Sequence, residues 1–134
     1  MRALPAAKGV EMKYELDAWG NKIYSVTGDF KRRLHNCFEL SYEYVMAHPN
    51  ALLIHGSVKF DNFYTDHGGI STHGQRILHA YVQLPNGKIW EPIFDRSITL
   101  QESKALFNAV PISAYTKAQA KMMMSNTLHY GPWS

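Results

Sequence analysis

A strictly alternating segment near the start of the chain is the feature that most limits how this protein can fold. Between residues 10 and 17 apolar and polar side chains alternate without exception, the apolar ones being Val10, Met12, Tyr14 and Leu16. A period of two is typical of a β-strand with one buried face. Gly20 and Asn21 then favour a turn, and Ile23, Tyr24 and Val26 predict a returning strand that ends near Gly28. The chain is expected to open with a β-hairpin.

The next segment predicts a helix that begins at a cysteine. Asn36, followed three residues later by Glu39, matches a capping box with Asn36 as the N-cap residue. One helical face is then formed by Cys37, Leu40, Ser41, Tyr44 and Val45. Pro49 ends the helix because it disfavours a helical conformation in the residue before it. The basic residues just upstream, Lys31, Arg32 and Arg33, are interpreted as a solvated turn.

The remaining segments predict more strands and two short helices. Residues 51–58 form an apolar run of strand length, and residues 59–75 are a polar, glycine-rich stretch expected to be a mobile loop that borders the functional cleft. Residues 76–84 predict a strand, Pro85, Asn86 and Gly87 a turn, and residues 88–94 an antiparallel return. Capping boxes predict helices after Thr99 and Thr116, reaching about Phe107 and Met124. This order predicts an α+β fold, a helix packed on an antiparallel sheet, in one domain spanning residues 1–134.

Composition excludes several classes of protein. A chain of 134 residues with 46% apolar and 19% charged residues is expected to be globular, and it is too short for two well-formed cores. A single cysteine excludes an internal disulfide, and no apolar stretch predicts a signal peptide or a membrane span. The formal net charge of +3 is spread along the chain, which argues against nucleic acid as a partner. A cytoplasmic protein without a cofactor is the expectation.

Cys37 is the first candidate for chemistry. If Asn36 caps the helix, Cys37 is the first helical residue, where unpaired backbone N–H groups and the helix dipole favour a thiolate. The same N–H groups can stabilise the oxyanion of a tetrahedral intermediate. The position therefore predicts a nucleophile, although a lone cysteine is also often a small buried side chain.

His79 is the candidate base. It lies on the strand face opposite to Leu78, Ala80, Val82 and Leu84, beside Ile77 and Tyr81. A carboxylate on the returning strand, Glu91 or Asp95, would orient the imidazole so that Nδ1–H is held and Nε2 faces the thiol. Only a three-residue turn places these carboxylates on the face of His79; a two-residue turn points them away. The sequence leaves both registers open.

Three short motifs, in this order, resemble papain-like and transglutaminase-like domains. They are Asn36-Cys37-Phe38-Glu39-Leu40, His79-Ala80-Tyr81-Val82 and Asn86-Gly87-Lys88-Ile89-Trp90-Glu91-Pro92. The resemblance covers roughly residues 30 to 96. It implies a papain-like core with Cys37 as nucleophile and His79 as base. Glu91 stands directly before Pro92, where these families usually carry Asp or Asn, and matches the third catalytic residue.

The resemblance implies a cysteine peptidase or amidase that acts on a peptide or protein through a thioester. Three alternatives stay open: a deamidase or transglutaminase-type acyl transferase, a binding or inhibitor module on the same scaffold, and a different base, His35. A metal site is a weaker hypothesis. Its histidines would be His55, His67, His73 and His79, with Asp66, but their spacing matches no helical ligand motif.

Overall fold

The computed structural model describes residues 2–4, 10–28, 30–60, 63–65, 68–69 and 75–133, and these form strands and helices in a mixed order. The strands are β1 (Arg2–Leu4), β2 (Val10–Leu16), β3 (Lys22–Gly28), β4 (Leu52–Lys59), β5 (Phe63–Thr65), β6 (Gly68–Gly69), β7 (Arg76–Gln83), β8 (Ile89–Glu91), β9 (Arg96–Ile98) and β10 (Val110–Tyr115). The helices are α1 (Phe30–His35), α2 (Cys37–Ala47), α3 (Leu100–Phe107) and α4 (Lys117–Thr127).

The strands form two sheets. The first has the order β1-β2-β3-β5-β6, in which only the β3–β5 pair is parallel. The second has the order β10-β4-β7-β8-β9 and is antiparallel throughout. The predicted α+β class is therefore confirmed, as is the opening hairpin, which is the β2–β3 pair.

The strands of the second sheet send alternate side chains to opposite faces, and each face packs against other elements. One face joins the first sheet in an apolar cluster that includes Met12 from β2, Ile54 from β4 and Tyr81 from β7. The other face packs beneath α2 and α4 in a second apolar cluster: Val45, Ala51, Leu53, Val82, Trp90 and Ala120. Fully burying one such aliphatic side chain stabilises the fold by about 1.5–3 kcal/mol. The helix that begins at Cys37 is thus held firmly on an antiparallel sheet.

The turn between β7 and β8 decides the register that the sequence left open. Val82 pairs with Trp90 and Gln83 with Ile89, so three residues connect the paired positions Leu84 and Lys88. Gly87 has a φ of +84°, a left-handed conformation that glycine adopts without steric cost. The three-residue turn is therefore the correct one of the two predicted alternatives.

Several predicted elements differ from the structure. The basic segment predicted as a turn belongs to helix α1. The strand predicted over residues 88–94 stops at Glu91, because residues 92–95 turn back into β9. Strand β10 has no counterpart among the predicted elements. The described part of the predicted loop over residues 59–75 contains β5 and β6, while residues 61–62, 66–67 and 70–74 lie outside the described residues.

The two C-terminal helices follow their predicted signals. Thr99 accepts a hydrogen bond from the N–H of Glu102, whose side chain accepts one in return from the N–H of Thr99. Thr116 and Gln119 form the same reciprocal pair at the start of α4. Both capping boxes are confirmed, and α4 runs three residues beyond its predicted end at Met124, to Thr127.

Candidate active site

Cys37 is the first residue of α2, as predicted, and its side chain is buried. Together with Ser41 and Val45 it forms the buried stripe of the helix, at intervals of four residues. The predicted capping box is wrong: Asn36 has φ −98° and ψ 17°, outside the extended region of an N-cap, and its side chain makes no capping bond. Its N–H donates instead to the Arg32 carbonyl of α1 at 3.0 Å, so that α1 leads almost directly into α2.

His79 and Glu91 form a buried pair on adjacent strands. The distance between His79 Nε2 and Glu91 Oε1 is 2.7 Å. The two side chains are 0% and 1% exposed, and Cys37 is 3% exposed. The register of the β7–β8 pair explains the contact, because its continuation sets Glu91 diagonally across from His79 on the same face. A hydrogen bond between charged partners in so dry a place is short and strong.

The turn after β8 fixes the orientation of the Glu91 carboxylate. The N–H of Ile93 donates to the same Oε1 atom at 3.3 Å, and the N–H of Phe94 donates to the Glu91 carbonyl at 3.1 Å. Arg33 of α1 donates from Nε to the carbonyl of Pro92 at 2.6 Å. The segment that leads to Cys37 and the turn that follows Glu91 are therefore directly bonded.

The charge state of His79 is set by its neighbours. Burial alone would lower the pKa of His79, but the charges of Glu91 and Cys37 and the hydrogen bond to Glu91 outweigh it and raise the pKa to about 10. His79 is therefore an imidazolium at neutral pH, between a carboxylate and a sulfur atom. A strongly raised pKa in a buried histidine is common at functional sites.

The orientation of the His79 ring is opposite to the predicted one. Glu91 contacts Nε2, not Nδ1, so Nδ1 is the nitrogen left for the thiol. Among the described residues Nδ1 has no hydrogen-bond partner of standard geometry, although Cys37 stabilises the imidazolium. Cys37 therefore interacts with His79 electrostatically, and Nδ1 is the ring nitrogen that Glu91 leaves free for it.

Tyr81 is a further neighbour of the pair, two residues beyond His79 on the same strand face. Its ring lies 6.1 Å from the His79 ring, with an interplanar angle of 28°. Burial, together with the charge of Glu91, raises the pKa of Tyr81 to about 12, so its hydroxyl stays protonated. The position of Tyr81 could have been predicted from the sequence, because residues two apart on a strand lie on the same face.

The other candidate residues from the sequence do not lie beside His79 and Glu91. Asp95 is exposed, at a φ of 50° in the turn between β8 and β9, and Glu91 takes the place beside His79. His35 is exposed at the end of α1. Within the described ranges no group of three metal-ligating side chains occurs. His67, His73 and Asp66 lie outside the described residues.

His55 occupies a separate buried place on the face covered by α2. Its ring lies 4.8 Å from Phe38, 5.0 Å from Tyr115 and 4.9 Å from Trp133. Both ring nitrogens lack a hydrogen-bond partner among the described residues. Burial lowers the pKa of His55 to about 4, so it is neutral at physiological pH. No local pattern in the sequence predicts this aromatic enclosure, because its members are far apart in the chain.

Comparison with known proteins does not relate the chain to a family. No protein-family model matches the sequence, and no curated protein or solved structure is significantly similar to the chain. Among the described residues no helix is long and apolar enough to cross a membrane. The chemistry of the site is therefore inferred from its own residues.

Proposed function

We propose that this protein is a thiol-dependent hydrolase, a peptidase or amidase with a papain-like core. Cys37 is the nucleophile, His79 the general acid and base, and Glu91 the carboxylate that orients His79. The observation that carries the proposal is the fully buried His79 ring, whose Nε2 lies 2.7 Å from Glu91 Oε1 and whose charged form is also favoured by Cys37. These three residue types are what thioester chemistry needs: a nucleophile, a proton carrier and a group that fixes the orientation of the carrier.

The proposed reaction begins from a thiolate on Cys37 and an imidazolium on His79. The Cys37 thiolate attacks the carbonyl carbon of an amide, and a C–S bond forms while the carbonyl oxygen takes up negative charge. The N–H of Cys37 and the side-chain amide of Asn36 are the proposed donors to that oxygen. His79 gives its Nδ1 proton to the leaving nitrogen, the C–N bond breaks, and a thioester and a free amine result.

The second half of the reaction reverses the proton transfer. His79, now neutral, removes a proton from a water molecule, whose oxygen attacks the thioester carbonyl. The C–S bond breaks, the carboxylic acid product leaves, and the pair returns to thiolate and imidazolium. Glu91 keeps Nε2–H bonded throughout, so that Nδ1 stays directed at the sulfur. Water is the default acceptor; an amine in its place would make the protein an acyl transferase.

The proposed substrate is a peptide or protein, and the proposed location is the cytoplasm. Amides are the common acyl donors for a thiol of this kind. A single cysteine that must remain a free thiol suits a reducing compartment. Nucleic acid is not proposed as a partner, since the formal net charge of +3 is small.

Thiol labelling tests the proposal directly. At pH 6 the wild-type protein should react with iodoacetamide at Cys37 within minutes, because the proposed mechanism needs a nucleophilic sulfur beside the His79 imidazolium. His79→Asn should slow labelling at pH 6 by about tenfold or more, while labelling at pH 9 changes little. Acylation by p-nitrophenyl acetate, followed by intact mass, should place one acetyl group on wild type and none on Cys37→Ala. A thiol that stays inert in native wild type, yet reacts after unfolding, would contradict the proposal.

A binding or inhibitor module is the second candidate, and one observation favours it. Cys37, His79 and Glu91 are all less than 4% exposed, so a substrate reaches the sulfur only after the surface above it opens. A module without turnover would retain the buried pair for stability alone. In that case acetylation would be absent, and Cys37→Ala would alter stability but no chemical activity.

A further inference from the structure

A few buried polar atoms have no hydrogen-bond partner among the described residues, and two of them belong to neighbours of Cys37. Apart from the ring nitrogens of His55, these atoms are Ser41 Oγ, Ser103 Oγ and His79 Nδ1. Leaving a buried hydroxyl unbonded costs stability, so each such atom in a folded protein needs an explanation. Ser103 lies on α3, whereas Ser41 and His79 both adjoin the proposed nucleophile.

Ser41 lies one helical turn after Cys37 on the buried stripe of α2. The Cβ atoms of residues four apart on a helix are about 5–6 Å apart, and each Cα–Cβ bond tilts toward the helix N-terminus. The Ser41 side chain therefore leans toward the turn that contains Cys37. Each of the two side chains has one heavy atom beyond Cβ, so rotation of the side chains can bring the oxygen and the sulfur into contact. Ser41 is 0% exposed, so bulk water does not compete for its hydroxyl.

Cys37 is the one neighbour of Ser41 on the buried stripe that can accept a hydrogen bond. The neighbour on the other side, Val45, is fully buried and apolar. A serine hydroxyl donates as well as accepts, and its proton rotates toward the acceptor that is present. A neutral thiol is a weak acceptor, but a bond to a charged partner is roughly twice as strong. The Ser41 hydroxyl therefore gains a partner when Cys37 loses its proton.

We infer that Ser41 is a further residue of the site, whose hydroxyl donates a hydrogen bond to the sulfur of Cys37 when that sulfur is a thiolate. This inference rests on the proposed hydrolase function and names a residue that sets the pH range in which the nucleophile is available. The imidazolium of His79 and the hydroxyl of Ser41 then stabilise the same thiolate, one from β7 and one from α2. In the thioester the sulfur is neutral and accepts weakly, so the bond acts on the resting enzyme rather than on the later steps.

Stability alone would favour alanine at position 41. Alanine is close to serine in volume, has a higher helix propensity and has no hydroxyl to remove from water. The same reasoning applies to Ser103, which is 1% exposed on α3 and is likewise unbonded among the described residues. Ser41 and Ser103 therefore form a matched pair: each hydroxyl costs stability, and only that of Ser41 lies one helical turn from the proposed nucleophile.

The pH dependence of Cys37 labelling tests the inference. Iodoacetamide labelling rates are measured by intact mass from about pH 5 to pH 10 in wild type, Ser41→Ala and Ser103→Ala. We expect Ser41→Ala to move the pH of half-maximal labelling upward by about one unit, so that labelling slows about tenfold at pH 6 and changes little at pH 9. Ser103→Ala should follow the wild-type profile. Both variants should unfold at the same urea concentration as wild type or at a higher one, since each loses an unbonded buried hydroxyl.

The outcomes separate the inference from the proposed function. If Cys37 of native wild type reacts but Ser41→Ala gives the same profile, or one displaced to lower pH, the inference is wrong and the hydrolase proposal stands. An equal shift in Ser103→Ala also overturns the inference, as does a clear fall in the urea midpoint of Ser41→Ala, which would reveal a structural partner for the hydroxyl. If Cys37 stays inert in native wild type yet reacts after unfolding, the proposed function fails and the inference fails with it.

Discussion

Replacing His55 with leucine should remove a pH-dependent loss of stability that wild type carries. The His55 ring is 3% exposed and lies among the rings of Phe38, Tyr115 and Trp133. None of these neighbours is a carboxylate or a cation, so nothing in the enclosure favours an imidazolium. Burial accordingly lowers the pKa of His55 from 6.5 to about 4.

The size of the stability loss follows from the lowered pKa of His55. Because the folded state holds His55 neutral, its contribution to stability is complete above pH 6.5 and is lost as the pH falls towards 4. At about 1.4 kcal/mol for each pH unit, the full loss would be about 3 kcal/mol. Solvent at the edge of the enclosure reduces this, and we expect a loss of about 2–3 kcal/mol. Leucine is close to histidine in volume and cannot take up a proton, so His55→Leu lacks this loss.

Urea unfolding followed by tryptophan fluorescence measures the difference. The free energy of unfolding of wild type minus that of His55→Leu should fall by about 2–3 kcal/mol between pH 7.5 and pH 4. Taking this difference cancels the titration of the carboxylates, which the two proteins share. A difference that stays constant with pH would show that His55 takes up its proton within the folded state and would refute the reasoning.

Three further predictions concern the candidate site. Cys37→Ala should abolish acylation and turnover while lowering the free energy of unfolding by no more than about 1–2 kcal/mol, measured by urea unfolding. Glu91→Gln should lower the pKa of His79, measured by NMR titration, and reduce turnover by about 10²- to 10⁴-fold; Asp95→Asn should leave both unchanged, and the reverse result would assign the role to Asp95. Arg33→Gln should destabilise the fold by about 1.5–3 kcal/mol, since it removes a charged donor to a turn carbonyl; an unchanged urea midpoint would mean that water replaces the bond.

The elements that sequence predicted best are those with local signals. The alternation over residues 10–17 defines β2, and the capping boxes at Thr99 and Thr116 mark the starts of α3 and α4 within one residue. His79 lies on a strand, as local spacing predicts, and Cys37 begins a helix although the capping box that predicted this start does not form. Such signals act over a few residues and need no knowledge of the rest of the chain.

The elements that sequence missed depend on distant partners. Strand β10 contains Pro111 and a register shift, and it becomes a strand because it pairs with β4, more than 50 residues earlier. The failed cap at Asn36 has a similar cause: α1 continues to His35, and the Asn36 N–H is already bonded to that helix. The orientation of the His79 ring depends on Glu91, and the turn after Glu91 is held by Arg33, 59 residues before Pro92 in the chain.

The separation of the site residues along the chain has a consequence for synthesis. Glu91 is made about 50 residues after Cys37, which at ribosomal rates is roughly 3 to 10 seconds later. His79 follows Cys37 by about 40 residues, so the emerging thiol lacks both partners for most of this time and lacks Glu91 for all of it. The bond from Arg33 to the Pro92 carbonyl can form only once the β8–β9 turn has left the ribosome. A nascent chain therefore carries an ordinary cysteine, and its reactivity should switch on late, together with the closing of the second sheet.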